Sequence, residues 1–129
     1  MPPTFLTFEE VLLIHRDQID RYGGDEGIRD MDVLRSALAM PQSGAGGEYF
    51  HGDLFEMAAA YLYHLVQNHA FVDGNKRVGT AAAILFLDLN GVEIGVDDES
   101  LVELVLGVAT GQVSKADVAG FLRRCASES

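Results

Sequence analysis

Nine consecutive residues, His69-Ala70-Phe71-Val72-Asp73-Gly74-Asn75-Lys76-Arg77, bring together an imidazole, a carboxylate, a glycine turn and two cations. An apolar run that reads as a helix follows directly, from Val78 to Leu89. Backbone N–H groups at a helix start lack intrahelical acceptors, and the helix dipole adds partial positive charge there. This order therefore predicts an anion site, best suited to phosphate, at the mouth of a buried helix. Lys76 and Arg77 would add full charges at that mouth. Two cations are unfavourable against an N-terminal dipole unless an anion compensates them. Asp73 is a hard oxygen ligand of the kind Mg²⁺ accepts beside a bound phosphate, the favoured role here, and a helix N-cap is a common use of Asp that does not exclude it. His69 has the chemistry to take a proton from a hydroxyl near neutral pH. Gly74 supplies a backbone conformation that other residues resist. Phe71 reads as a core anchor for the loop, and Asn75 as either a phosphate donor or a cap.

The elements that must position these residues are helical throughout. Thr7-Phe8-Glu9-Glu10 has the form of a capping box, and the helix it starts is stopped by Gly23-Gly24. Asp30 caps a second helix, Met31 to Ala39, closed by Pro41. Residues 42–52 hold four glycines and no helical period, which predicts a mobile loop or a hairpin-like flap. Asp53 caps a third helix to about Asn68, apolar round most of its circumference and hence buried on several sides. The fourth runs from about Asn75 to Asn90 and ends at Gly91. Asp97 or Asp98 starts the fifth, and Ser114 caps the sixth. The expected architecture is all-α, a compact bundle of about six helices in one domain (1–129), with the third and fourth at its centre. The Ala81–Ala83 run marks close helix packing. Asp30 and Arg35 read as structural.

Composition narrows the function classes. Apolar residues make up 48%, too many for a disordered chain. Twenty acids against nine bases give a net charge of −11, which argues against a general nucleic-acid binder but not against a local nucleotide pocket. Cys125 is the only cysteine, so no internal disulfide forms. No secretory signal is visible, and the apolar runs are too short or too interrupted to span a membrane. A soluble cytoplasmic protein is the expectation. Of the other histidines, His15 reads as a surface residue, His51 as part of the mobile loop, and His64 as core or surface. None has zinc-binding spacing.

The nine-residue stretch meets every position of the pattern H-x-F-x-[D/N]-[G/A]-N-[G/K]-R and so resembles the Fic/Doc family motif. Lys76 before Arg77 is similar to the Doc (death-on-curing) branch. Weaker similarity extends through Gly27-Ile28-Arg29-Asp30, Leu34 to Leu38, Pro41-Gln42 and Asp53 to Glu56, and covers the chain from about Thr7 onward. The resemblance implies the Fic/Doc fold and a toxin that transfers the ATP γ-phosphate to a threonine of elongation factor Tu, inhibiting translation. It implies ATP and Mg²⁺, with His69 as catalytic base and Asp73 as metal ligand. Gly74, Asn75, Lys76 and Arg77 would hold the phosphates. It makes the glycine-rich segment the flap against which a protein substrate docks. Tyr49 and Phe50 would pack that flap down or touch the partner. Some family members carry an inhibitory helix of the form [S/T]-x-x-x-E-[G/N]. No Glu here lies four residues after a Ser or Thr, so inhibition falls to a separate antitoxin protein. The enzymatic alternative is AMP transfer of the Fic type. That branch usually has Gly at the place of Lys76 and a second Arg at the place of Thr80. A non-catalytic partner-binding module with the same fold is the third reading.

Overall fold

A computed structural model describes residues 2–126. Within them the chain is all-α apart from one two-stranded hairpin. The helices are α1 (Phe8–Tyr22), α2 (Met31–Ala39), α3 (Leu54–Asn68), α4 (Asn75–Leu89), α5 (Asp98–Ala109) and α6 (Lys115–Cys125). Strands β1 (Gly44–Ala45) and β2 (Glu48–Tyr49) pair antiparallel, with Gly44 opposite Tyr49 and Ala45 opposite Glu48. The 42–52 segment is thus the hairpin form of the expected flap.

Local signals set the helix ends. Thr7 and Glu10 form the expected capping box, as do Ser114 and Asp117. Asp30, Asp53 and Asp97 each accept a backbone N–H from the first turn of their helix. The cap satisfies one otherwise orphaned donor and is typically worth ~1 kcal/mol.

α3 is the axis of the core. It packs against α2, α4, α5 and α6, while α1 packs on α4. Tyr61 on α3 and Phe86 on α4 are fully buried and meet with ring centroids 5.2 Å apart. Gly79 lets α4 approach α3 closely, since a Cβ there would lie 2.9 Å from Val66 Cγ2 and 3.1 Å from the Leu62 carbonyl. The motif loop joins these two helices, so both its ends are anchored in the most tightly packed part of the molecule. No helix among the described residues is long and apolar enough to cross a membrane.

Candidate active site

His69 is the C-cap of α3 and lies in the left-handed region, with φ 50° and ψ 49°. It is the one non-glycine residue with positive φ among the described residues. Its side chain is exposed. After it the chain turns inward at Ala70 and Phe71, both buried. The Asn75 side chain clamps this turn from the far side of the loop. Its Oδ1 accepts the Phe71 N–H (3.0 Å) and its Nδ2–H donates to the Phe71 carbonyl (2.9 Å). Val72 and Asp73 then emerge into solvent, and Gly74 (φ 84°) turns the chain into α4.

The connector between α1 and α2 is built into this loop. The N–H groups of Arg29 and Asp30 both donate to the Ala70 carbonyl, and the Val72 N–H donates to the Gly27 carbonyl. Arg29 reaches further with its side chain. Its Nε–H donates to the His69 carbonyl (2.7 Å) and its Nη2–H to that of Asn68 (3.3 Å). The Asp25 N–H donates to Oδ2 of Asp73 (2.8 Å). Gly24 leaves the space for this approach, because a Cβ there would stand 3.2 Å from Asp73 Cβ.

α4 differs from the other five helices at its start. Its N-cap is Gly74, and no side chain caps it. Asp73 therefore does not serve as the N-cap that Asp so often provides. The first-turn N–H groups of Asn75, Lys76 and Arg77 are left as an uncapped donor cluster beside the exposed Lys76. Among the described residues, Lys76 has no ion-pair partner.

The structure brings His69, Asp73, Gly74 and Lys76 to one exposed loop and helix start. It gives the other two motif residues internal partners. The Asn75 amide is taken up by Phe71. Arg77 turns back onto α1, where Nη1–H donates to the Gln18 carbonyl (3.1 Å) and Nη2–H to the Gly23 carbonyl (3.0 Å). A cation is favourable at the negative end of α1's dipole, so its place in the sequence has a structural cause besides a bound anion.

Three histidines lie outside the motif, and the expected surface position of one of them, His15, is overturned. His15 is not on the surface but only 3% exposed, stacked on Phe71 with ring centroids 3.8 Å apart. His51, at the end of the flap, is only 8% exposed, with a buried Nδ1 that has no partner among the described residues. His64 is half-buried with Lys115 Nζ 3.3 Å from its Nε2. Burial, then the charge of Lys115, lowers the pKa of both His51 and His64, that of His64 to about 4. His15, Gly24, Asp25 and Arg29 also build the site, although they lie outside the motif. The pair Gly23-Gly24, besides stopping α1, is a visible signal of close backbone approach.

The donor set fits a cation shared with a ligand rather than a closed protein cage. Asp73 offers one exposed carboxylate with Oδ2 already accepting an N–H, and no cluster of three His, Cys, Asp or Glu occurs among the described residues. Mg²⁺ is held in this way where phosphates complete its shell.

Beside the site runs a groove of about 590 Å³ between α1, α4 and α5. Lys76 and Arg77 line one part and Ile84, Leu101 and Val105 another. Its rim carries exposed apolar residues, Tyr22 (67%), Val102 (56%) and Leu106 (48%).

A family model described as the Fic/DOC family matches residues 5–87. Among curated proteins, the chain is similar to one named "Protein kinase doc" from Escherichia phage P1. The two are 39% identical over 116 residues, covering 90% of each chain. It is also similar to "Toxin Doc" of Mycolicibacterium smegmatis, at 45% identity over 76 residues, which is 59% of this chain and 58% of that one.

Proposed function

We propose that this chain, which belongs to the Fic/DOC family, is a toxin-type protein kinase that transfers the γ-phosphate of ATP to a protein hydroxyl. The observation that carries the reading is the arrangement of one short loop. His69 stands at its start, the Asp73 carboxylate near its end, and the uncapped N-terminus of α4 with Lys76 directly after it.

His69 accepts the proton of the target hydroxyl. The hydroxyl oxygen bonds to the γ-phosphorus as the bond from that phosphorus to the β,γ-bridging oxygen breaks, and ADP leaves. Asp73 would hold the Mg²⁺ that accompanies ATP, a cation that would offset charge on the phosphates. The N–H groups at Asn75 to Arg77 and the Lys76 ammonium offset the phosphate charge, in a reaction where positioning and electrostatics carry most of the catalysis. Asn75 and Arg77 contribute by bracing the loop and the helix start. The target is a threonine of elongation factor Tu by family resemblance, which makes the consequence a halt of translation in the cytoplasm.

Lys76 supports phosphate transfer over AMP transfer. A Gly at this position lets a phosphate approach the backbone closely, whereas Lys fills that space and adds a flexible point charge. Purified protein should move label from γ-labelled ATP to elongation factor Tu and none from α-labelled ATP. His69→Ala should move neither. Transfer of the α-label would replace this reading with AMPylation, and transfer of neither by the unsubstituted protein would leave a binding module.

The inhibitor, on this reading, is a separate antitoxin whose apolar segment seats in the groove between α1, α4 and α5, beside Lys76. Expression of the chain alone should stop growth, and co-expression of the neighbouring gene product should restore it. Unimpaired growth with the well-folded chain alone would refute this.

A further inference from the structure

We infer that His15 is a positioning residue for Asp73, setting the direction in which its carboxylate meets a phosphate-bound cation. The inference rests on the metal-ligand role proposed for Asp73. His15 lies on α1, far in sequence from the motif, yet its Nε2 is 2.9 Å from the Asp73 carbonyl oxygen. A carbonyl only accepts, so Nε2 carries the hydrogen. The ring also stacks on Phe71, nearly parallel at 9°. Its Cδ2 lies 3.6 Å from where a Cβ on Gly74 would stand. One buried imidazole thus contacts the motif loop at two points around the carboxylate, two residues before it and at its own peptide, and fills the space that a side chain on the following residue, Gly74, would face.

The consequence is a division of labour at Asp73. The peptide oxygen is tied inward to a buried ring carried by α1. The carboxylate remains exposed, with Oδ2 on the Asp25 N–H. A metal ligand whose own peptide is fixed costs less ordering when the cation arrives. Groups that orient a ligand in this way, when removed, typically weaken metal binding about 10–100-fold. His15 contributes nothing to the proton transfer itself. Its effect should therefore appear in cation and nucleotide affinity before it appears in the limiting rate.

Two substitutions separate the hydrogen bond from the packing. His15→Phe keeps an aromatic ring against Phe71 and removes the donor. His15→Gln keeps a donor at the same reach and removes the ring. Mn²⁺ binding in the presence of ADP, followed by electron paramagnetic resonance, reads the site without turnover. His15→Phe should weaken Mn²⁺·ADP by about 10-fold or more and raise KM for Mg²⁺·ATP more than it lowers kcat. His15→Gln should recover most of the loss. In the unsubstituted protein, Mg²⁺·ADP should shift the His15 ring ¹⁵N resonances, a measurement independent of whether a variant folds. Folded His15→Phe with unchanged Mn²⁺·ADP affinity, equal loss in both variants, or a silent His15 ring would each overturn the inference. No binding of Mn²⁺·ADP by the unsubstituted protein would instead overturn the metal-ligand reading of Asp73.

Discussion

Arg29 donates its Nε–H to the carbonyl of His69 across 2.7 Å, and that carbonyl belongs to a residue held in the left-handed conformation. The guanidinium thus sits on the last carbonyls of α3, where a cation is favoured by the helix dipole. It holds the peptide of the candidate base in a region that costs a non-glycine residue ~1–2 kcal/mol. An observed backbone outlier of this kind at a functional loop is compensated by the contacts that over-determine it.

Replacing the imidazole should therefore separate stability from activity. His69→Gly and His69→Ala both remove the base and should each lower phosphate transfer by about 10²–10⁴-fold. His69→Gly also relieves the left-handed restriction and should be more stable than His69→Ala by roughly 1 kcal/mol, despite the usual penalty of glycine. Urea unfolding of the two variants, alongside the label-transfer assay, checks both halves. A His69→Ala protein more stable than His69→Gly would show that the backbone is not restrained as described.

Two adjacent cations should fail in different ways. Arg77 braces α1 through the Gln18 and Gly23 carbonyls, so Arg77→Ala should cost stability, on the order of 1–3 kcal/mol for two charge-assisted hydrogen bonds partly shielded from water. Lys76 is exposed, so Lys76→Ala should leave stability within about 0.5 kcal/mol and weaken ADP binding instead. Denaturant midpoints and ADP titrations of the two variants give the comparison. The opposite pattern, with Lys76→Ala unfolding early and Arg77→Ala losing only nucleotide, would reverse the roles.

The contrast marks what was legible in the sequence. Helix ends set by residues three positions apart, such as Thr7 with Glu10 or Ser114 with Asp117, were readable, because cap and donor lie in the same turn. The burial of α3 and α4 followed from apolar residues all round each helix. The motif loop was legible as a cluster of chemical types, and Asp73, Gly74 and Lys76 were found together at its end. The uses of Arg77 and His15 were not readable, because their partners lie 54 to 59 residues away and are mostly backbone carbonyls, which every residue possesses. The partner of Asn75 is hidden for a different reason. Its amide satisfies the backbone of a residue only four positions earlier, but nothing in residue type distinguishes that use from a phosphate contact. The capping role open to Asp73 fell away because Gly74 turns the chain after it and Asp25 takes its carboxylate.

The remaining prediction concerns pH and lies away from the motif. His64 on α3 meets the ammonium of Lys115, the first residue of α6, at 3.3 Å. His51 and Glu56 complete the charged surroundings that bear on this cluster. Burial, reinforced by the Lys115 charge and then by His51, lowers His64 to about 4, and His51 is lowered in the same direction. The Lys115 ammonium has only donors, so the neutral His64 accepts at Nε2. Unfolding releases His64 to an ordinary imidazole that titrates near ~6.5. Above that pH neither state binds the proton. As pH falls from about 6.5 toward about 4, the unfolded chain takes it up and the native chain resists, so stability declines across this window. Below it, this group adds no further loss. Half-burial and solvent screening reduce the effect to the order of 1 kcal/mol between pH 7 and pH 5. Urea midpoints at those two values should therefore differ in the unsubstituted protein, and the difference should shrink in His64→Gln. In Lys115→Met, the loss of the ammonium should raise the His64 titration, visible by NMR. If the difference between the two midpoints is as large in His64→Gln as in the unsubstituted protein, His64 is not the group responsible.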